Sequence, residues 1–171
     1  MIDTNAINAR QASNALNQIE AWRATGAVLH MMSVPAYREA SAGGDEVRAA
    51  KADRQLQGIA HYGGDEEPMW KAIERTIFPS GAGTQSQRND VEIVFQARAW
   101  GYVLVTMDGA SRRQPGGILG ARERLAELGV TVMRPEEFVA TTRERISAHH
   151  QRVRRNCALA GTPLPDWIDK D

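Results

Sequence analysis

Cysteine is almost missing from this sequence. Cys157 stands alone among 171 residues, which excludes an internal disulfide and, with no clustered partners, argues against a zinc site or a nucleophilic thiol. Lysine is nearly as scarce: with only Lys51, Lys71 and Lys170, most of the 21 basic residues are arginine, whose planar fork suits bidentate contacts to phosphate or carboxylate. A genome that favours arginine codons produces the same bias. No charge sign dominates either, because 21 acidic residues balance the bases, so the bulk field does not announce a nucleic-acid binder. No apolar run approaches the roughly 20 residues of a membrane span, and the start lacks the basic-then-apolar pattern of a signal peptide. The expectation is a cytoplasmic protein with no membrane partner. What is present, 42% hydrophobic and 25% charged residues, matches one globular domain with a single core and no internal repeat.

Periodicity then orders the chain. Leu16, Ile19 and Trp22 recur at helical spacing between a capping Ser13 and a stop at Gly26, and AVLHMM at 27–32 reads as a buried strand. Ser33 and Pro35 open a helix that carries Glu39, residues 45–62 are polar and helix-favouring, and a short helix follows over 69–78. Residues 79–88 hold almost nothing apolar and read as a loop, after which Asn89 caps a helix that stops at Gly101. A strand at 102–105, a helix over 119–129, a strand at 130–133 and a long helix from Pro135 to about Cys157 complete the pattern, with a polar, proline-broken tail. Strands alternating with helices predict an α/β fold with a parallel sheet covered on both faces.

In such a sheet, ligands bind beyond the carboxyl ends of the strands, which gives meaning to LVTMDG at 104–109, where an apolar strand delivers Asp108 and then turns at Gly109. Asp3 leaves the first strand, Glu39 rides the helix after the second, and Asp90 sits in a first helical turn. All four carboxylates can meet at one edge. Crowded acids repel and take up protons unless a cation neutralises them, and an all-oxygen donor set selects Mg²⁺ or Mn²⁺. Singly, each acid has a plainer reading: Asp108 next to glycine is turn chemistry, Asp3 caps a turn, and Asp90 favours a helix dipole.

Taken in order, DTN at 3–5, Glu39, ND at 89–90, LVTMD at 104–108 and PGG at 115–117 resemble a PIN domain across roughly residues 1–140. The resemblance implies a Rossmann-like α/β/α sandwich with a parallel sheet of four to five strands, with the helix and polar tail of 141–171 packed on the same domain. It also implies a metal-dependent endoribonuclease, often the toxin of a VapC-type toxin-antitoxin pair, with RNA as substrate and an antitoxin or a second copy of the chain as partner. Carried over by position, Asp3, Asp90 and Asp108 are direct or water-mediated metal ligands, Glu39 completes the acidic pocket or holds a second ion, Thr106 steadies Asp108, and Asn5 shapes the turn after Asp3. Arg112 and Arg113, just past Asp108, are placed to meet substrate phosphates. The sequence departs from the pattern in its short apolar run before Asp3, its long insertion between Glu39 and Asp90, and an extra helix after Pro115.

Two rivals stay open. A receiver-like, Mg²⁺-dependent phosphoacceptor domain also gathers acids at strand exits, but it needs a lysine after the last strand, where this chain has Arg134 and Pro135. A non-catalytic PIN-like interaction module keeps the acids without using them. Elsewhere, His149, His150 and Glu92 read as solvated. Trp22, Trp70 and Trp100 read as core, and Arg152, Arg154 and Arg155 suit either RNA or a helix C-terminus.

Overall fold

Apolar residues at helical spacing, and side chains able to cap helix ends, put most of the described chain into helices. The computed structural model describes residues 1–3, 13–42, 46, 49–50, 53, 59–60, 67–109 and 116–168. Helix α1 (Asn14–Ala24) begins where the Ser13 hydroxyl accepts the Leu16 N–H at 3.3 Å, and strand β1 (Met32–Ser33) leads into α2 (Val34–Ser41), capped in the same way by Ser33. Strand β2 (Ile59–Ala60), α3 (Glu67–Ile77) and α4 (Gln85–Ala99) follow. Then come β3 (Leu104–Val105), the short α5 (Gly117–Gly120) and α6 (Arg122–Glu127), β4 (Val132–Met133) and α7 (Pro135–Ala160).

The expected α/β/α sandwich on a four- to five-stranded sheet is corrected by these elements. Among the described residues the chain is mostly helical, and its extended segments form two parallel pairs of two residues each, Met32 opposite Ile59 and Leu104 opposite Val132. The segment Met1–Asp3 bridges singly: the Ile2 N–H donates to the Met31 carbonyl at 2.8 Å, and the Asp3 N–H to the Val105 carbonyl at 3.1 Å.

The strands are short because the helices use up their lead-in residues. At Gly26, Gly101 and Gly129 the backbone turns left-handed, with φ of 78°, 65° and 80°, which an unbranched backbone tolerates best. The next residue then donates back into the helix it has just left: Ala27 to Trp22, Tyr102 to Ala97 and Val130 to Leu125, at 2.8–3.0 Å. Ala27, Tyr102 and Val130 therefore close helices instead of opening ladders. Leu29, in the middle of the expected strand 27–32, is left 72% exposed.

Two helix boundaries also differ from expectation. Residues 79–88 are not all loop, because Thr84 and Gln87 form a capping box: the Gln87 N–H donates to Thr84 Oγ1 at 3.2 Å, and the Thr84 N–H to Gln87 Oε1 at 3.1 Å. This starts α4 a full turn before Asn89. The helix expected over 119–129 is divided at Ala121 into α5 and α6.

The core sits where α4 packs against α2 and α3 and beneath the strand pairs. Val91, Ile93, Val94, Phe95 and Ala97 are buried around most of the α4 circumference, joined by Ile19, Met32, Ile73, Leu104, Ile118 and Leu125. Each large aliphatic side chain buried here contributes roughly 2 kcal/mol. Helix α7 runs unbroken through residue 140 and packs on α1, while Ile168 buries in the tail and its N–H donates to Pro165. Among the described residues no helix is long and apolar enough to cross a membrane.

Candidate functional site

Asp3 is buried, and its fixed point is Thr106, whose hydroxyl donates to Asp3 Oδ2 at 2.6 Å. Thr106 Oγ1 in turn accepts the Asp108 N–H at 3.0 Å. Thr106 thus orients the Asp3 carboxylate and the Asp108 backbone, where it was expected to steady the Asp108 carboxylate. The reason is where the strand ends: Thr106, fully buried, faces inward toward Asp3, whereas Asp108 lies beyond the paired residues, where the chain turns toward α5.

Asp108 is instead held by the start of α5. The Ile118 N–H donates to its Oδ2 at 3.0 Å, and the Leu119 N–H donates to its carbonyl at 3.0 Å. That approach requires Gly117, because a Cβ there would stand 2.7 Å from Asp108 Oδ2 and the backbone φ is already +46°. We expect Gly117→Ala to displace the Asp108 carboxylate and lower stability by about 1–2 kcal/mol, read as a drop in the denaturation midpoint. An unchanged midpoint would refute this packing.

Asp90 lies on α4, in its second turn rather than the expected first, since α4 starts at Gln85. The helix dipole, which fades within one turn, does not account for it. Its carboxyl is pushed up from 3.8 to about 7, first by burial, then by Asp108, Asp3 and Glu39. Glu39, on α2, accepts from Asn89 Nδ2 at 2.6 Å, so the residue expected to cap α4 instead ties two helices together at this rim. Acids from four distant stretches therefore share one electrostatic neighbourhood. They are not drawn into a closed shell: among the described residues no group of three or more His, Cys, Asp or Glu side chains stands in metal-holding geometry.

Glu92 was expected in solvent and is half-buried, with both carboxylate oxygens hydrogen-bonded. Its Oε2 accepts from Trp70 Nε1 at 3.2 Å and its Oε1 from Gln96 Nε2 at 2.6 Å, which keeps it apart from the acidic rim. Trp22 is buried as expected, whereas Trp100 is half-exposed and stacks on Tyr102. Asn5, Arg112 and Arg113 lie outside the described residues, so other cations come into view. A cavity of about 240 Å³ next to Asp108 is lined by Gly109, Gly116, Gly120, Arg122 and Arg134. Arg122 also pairs with Glu137 at 2.9 Å. Arg134 was legible as the residue leaving the last strand, but as a missing lysine rather than as a wall of this cavity.

Burial and three neighbouring carboxylates disfavour the charged form of Asp90, and a cation placed among these oxygens would favour it. Comparison with family models, with curated proteins and with solved structures gives no match for this chain.

Proposed function

We propose that the chain is a metal-dependent endoribonuclease that hydrolyses RNA phosphodiester bonds at the rim of Asp3, Glu39, Asp90 and Asp108. The observation that carries the reading is the gathering of these acids around Asp90, whose carboxyl is raised to about 7 by burial and then by Asp108, Asp3 and Glu39. The likeness to PIN domains that supports it is one of acid order and spacing, not of sheet size. The reading includes a cytoplasmic location and, in the toxin form, an antitoxin protein as partner.

Asp3, Asp90 and Asp108 would hold Mg²⁺ or Mn²⁺, with Glu39 completing the negative pocket. When bound, such an ion supplies the positive charge that offsets charge building on the phosphoryl oxygens and favours deprotonation of an attacking water. The chain itself contributes orientation. Thr106 fixes the Asp3 carboxylate and Ile118 N–H fixes that of Asp108, so both oxygens are aimed before substrate arrives. Arg134 and Arg122, lining the neighbouring cavity, meet flanking phosphates in the manner of arginine forks. No nucleophilic side chain is required.

The test is cleavage of single-stranded RNA by the purified chain with Mn²⁺ or Mg²⁺, repeated with a chelator. Loss of cleavage in chelator is expected, and cleavage that persists without divalent ions overturns the reading. A non-catalytic binding module is the second reading, favoured by the open spacing of the acids. RNA bound but left intact in the presence of Mn²⁺ would select it.

A further inference from the structure

The acidic rim leaves the contact between α1 and α7 unexplained. There, α1 packs on α7, and the cleft between them holds two cavities of about 390 and 730 Å³ that share Gln18, Trp22, Ile146 and His150 as walls. Both volumes fall within the range of about 300–1,000 Å³ typical of small-ligand sites. Their charge is one-sided: Arg143 and Arg154 line the smaller cavity and Arg145 the larger, and no carboxylate stands among the described residues lining either.

The larger cavity also has an aromatic wall. Trp167, brought in by the tail, stacks on His149 with ring centroids 5.7 Å apart and planes 10° from parallel, and still leaves 47% of its surface exposed. Arg152 Nη2 lies 2.8 Å from His149 Nδ1; a guanidinium only donates, so Nδ1 accepts and the ring is fixed with its proton on Nε2. Arg143 is likewise aimed, its Nη2 donating to Gln18 Oε1 at 3.2 Å. The cleft therefore combines arginine forks, which suit phosphate, with an open aromatic face, which suits a planar ring.

We propose that the α1/α7 cleft is a nucleotide site, binding a phosphate through Arg143 and Arg154 and stacking a base on the Trp167–His149 pair. A free nucleoside monophosphate and one nucleotide of an RNA strand offer the same chemistry. The proposal does not rest on the nuclease reading, because none of its residues belongs to the acidic rim.

Tryptophan fluorescence, with Trp22 and Trp167 both in the cleft walls, follows binding of AMP, adenosine, inorganic phosphate and a short oligoadenylate, all in chelator so that no divalent-ion chemistry intervenes. AMP should saturate, with adenosine and phosphate each about tenfold weaker or worse, since each keeps only one of the two contacts. The Arg143→Gln/Arg154→Gln double variant, with a circular dichroism spectrum matching the parent, should weaken AMP about tenfold. Trp167→Ala should do the same for adenosine. Oligoadenylate binding much tighter than AMP identifies a strand as the occupant, and equal binding identifies the free nucleotide. Absence of saturable binding by both AMP and oligoadenylate, or undiminished binding by the double variant, overturns the proposal. Asp108→Asn should bind AMP as the parent does, which separates this result from the fate of the nuclease reading.

Discussion

Asp90→Asn is expected to unfold at a higher temperature than the parent chain at pH 8 without divalent ions, and to lose RNA cleavage when they are supplied. The Asp90 carboxyl holds its proton up to about pH 7 in the fold, because of burial and then Asp108, Asp3 and Glu39, whereas the unfolded chain releases it near 3.8. The stability tied to that proton is full below 3.8 and is lost as pH rises through about 7. Above that, the native state carries a carboxylate pressed against its neighbours. Removing the charge should recover on the order of 2 kcal/mol, discounted for the solvent that reaches a half-buried group, or about 4–8 °C in Tm for a domain of this size. The same substitution removes a proposed cation ligand, so cleavage should fall on the order of a hundredfold or more. Asp108→Asn supplies the contrast. It should lose cleavage equally but gain little stability, because its oxygen is already held by the Ile118 N–H. An Asp90→Asn variant that is neither more stable nor less active would remove the crowding on which the site depends.

The second large effect has the opposite sign. His30 is 3% exposed, and neither ring nitrogen meets a hydrogen-bond partner in good geometry among the described residues. Burial, then Arg23, then the chain's amino terminus lower its pKa from 6.5 to about 4. The fold keeps the ring neutral while the unfolded chain takes up a proton near 6.5. Stability from this group is therefore complete above 6.5 and lost as pH falls to about 4, by about 3 kcal/mol. His30→Leu should abolish this dependence, and it should also stabilise the chain at neutral pH by replacing unpaired polar atoms with an apolar side chain. Denaturant titrations of parent and variant at pH 7 and pH 4.5 measure both; the variant should fare better than the parent at pH 4.5 relative to pH 7, and the same pH response in the two proteins would refute the assignment. Between pH 4 and 6.5 the contributions of His30 and Asp90 run in opposite directions. The parent can thus look insensitive to pH while each single variant shows a slope.

The acids were legible because their signal is one of order: a carboxylate just after an apolar run, or near the start of a helix, can be read without knowing what pairs with what. Helix starts at Ser13 and Ser33 were equally local, and the structure retains both caps. Strand length was not local. Whether Ala27, Tyr102 and Val130 pair sideways or bond backwards depends on the turn each glycine makes, and the apolar runs look alike in either case. The capping box at Thr84 and Gln87 was present in the sequence but obscured by the glycines and polar residues around it, and missing it placed Asp90 one turn too early. Thr106, Asn89 and Glu92 each also meet a side chain far away in sequence, Asp3, Glu39 and Trp70, a pairing settled only by packing.

The repeated handover after α1, α4 and α6 governs how this protein can change over evolutionary time. Each helix is locked to the extended segment behind it by a bond of fixed reach, five residues back, leaving no slack in which an inserted residue could be absorbed. An extra residue between Gly101 and Leu104 would reverse the facing of the extended residues that follow, turning Thr106 away from Asp3. Lengthening the chain within the outer half of α7 would leave the rim untouched. The spacing from glycine to acid, five residues from Gly101 to Thr106 and two more to Asp108, thus acts as a ruler for the site, and insertions that spare the rim are expected only outside it.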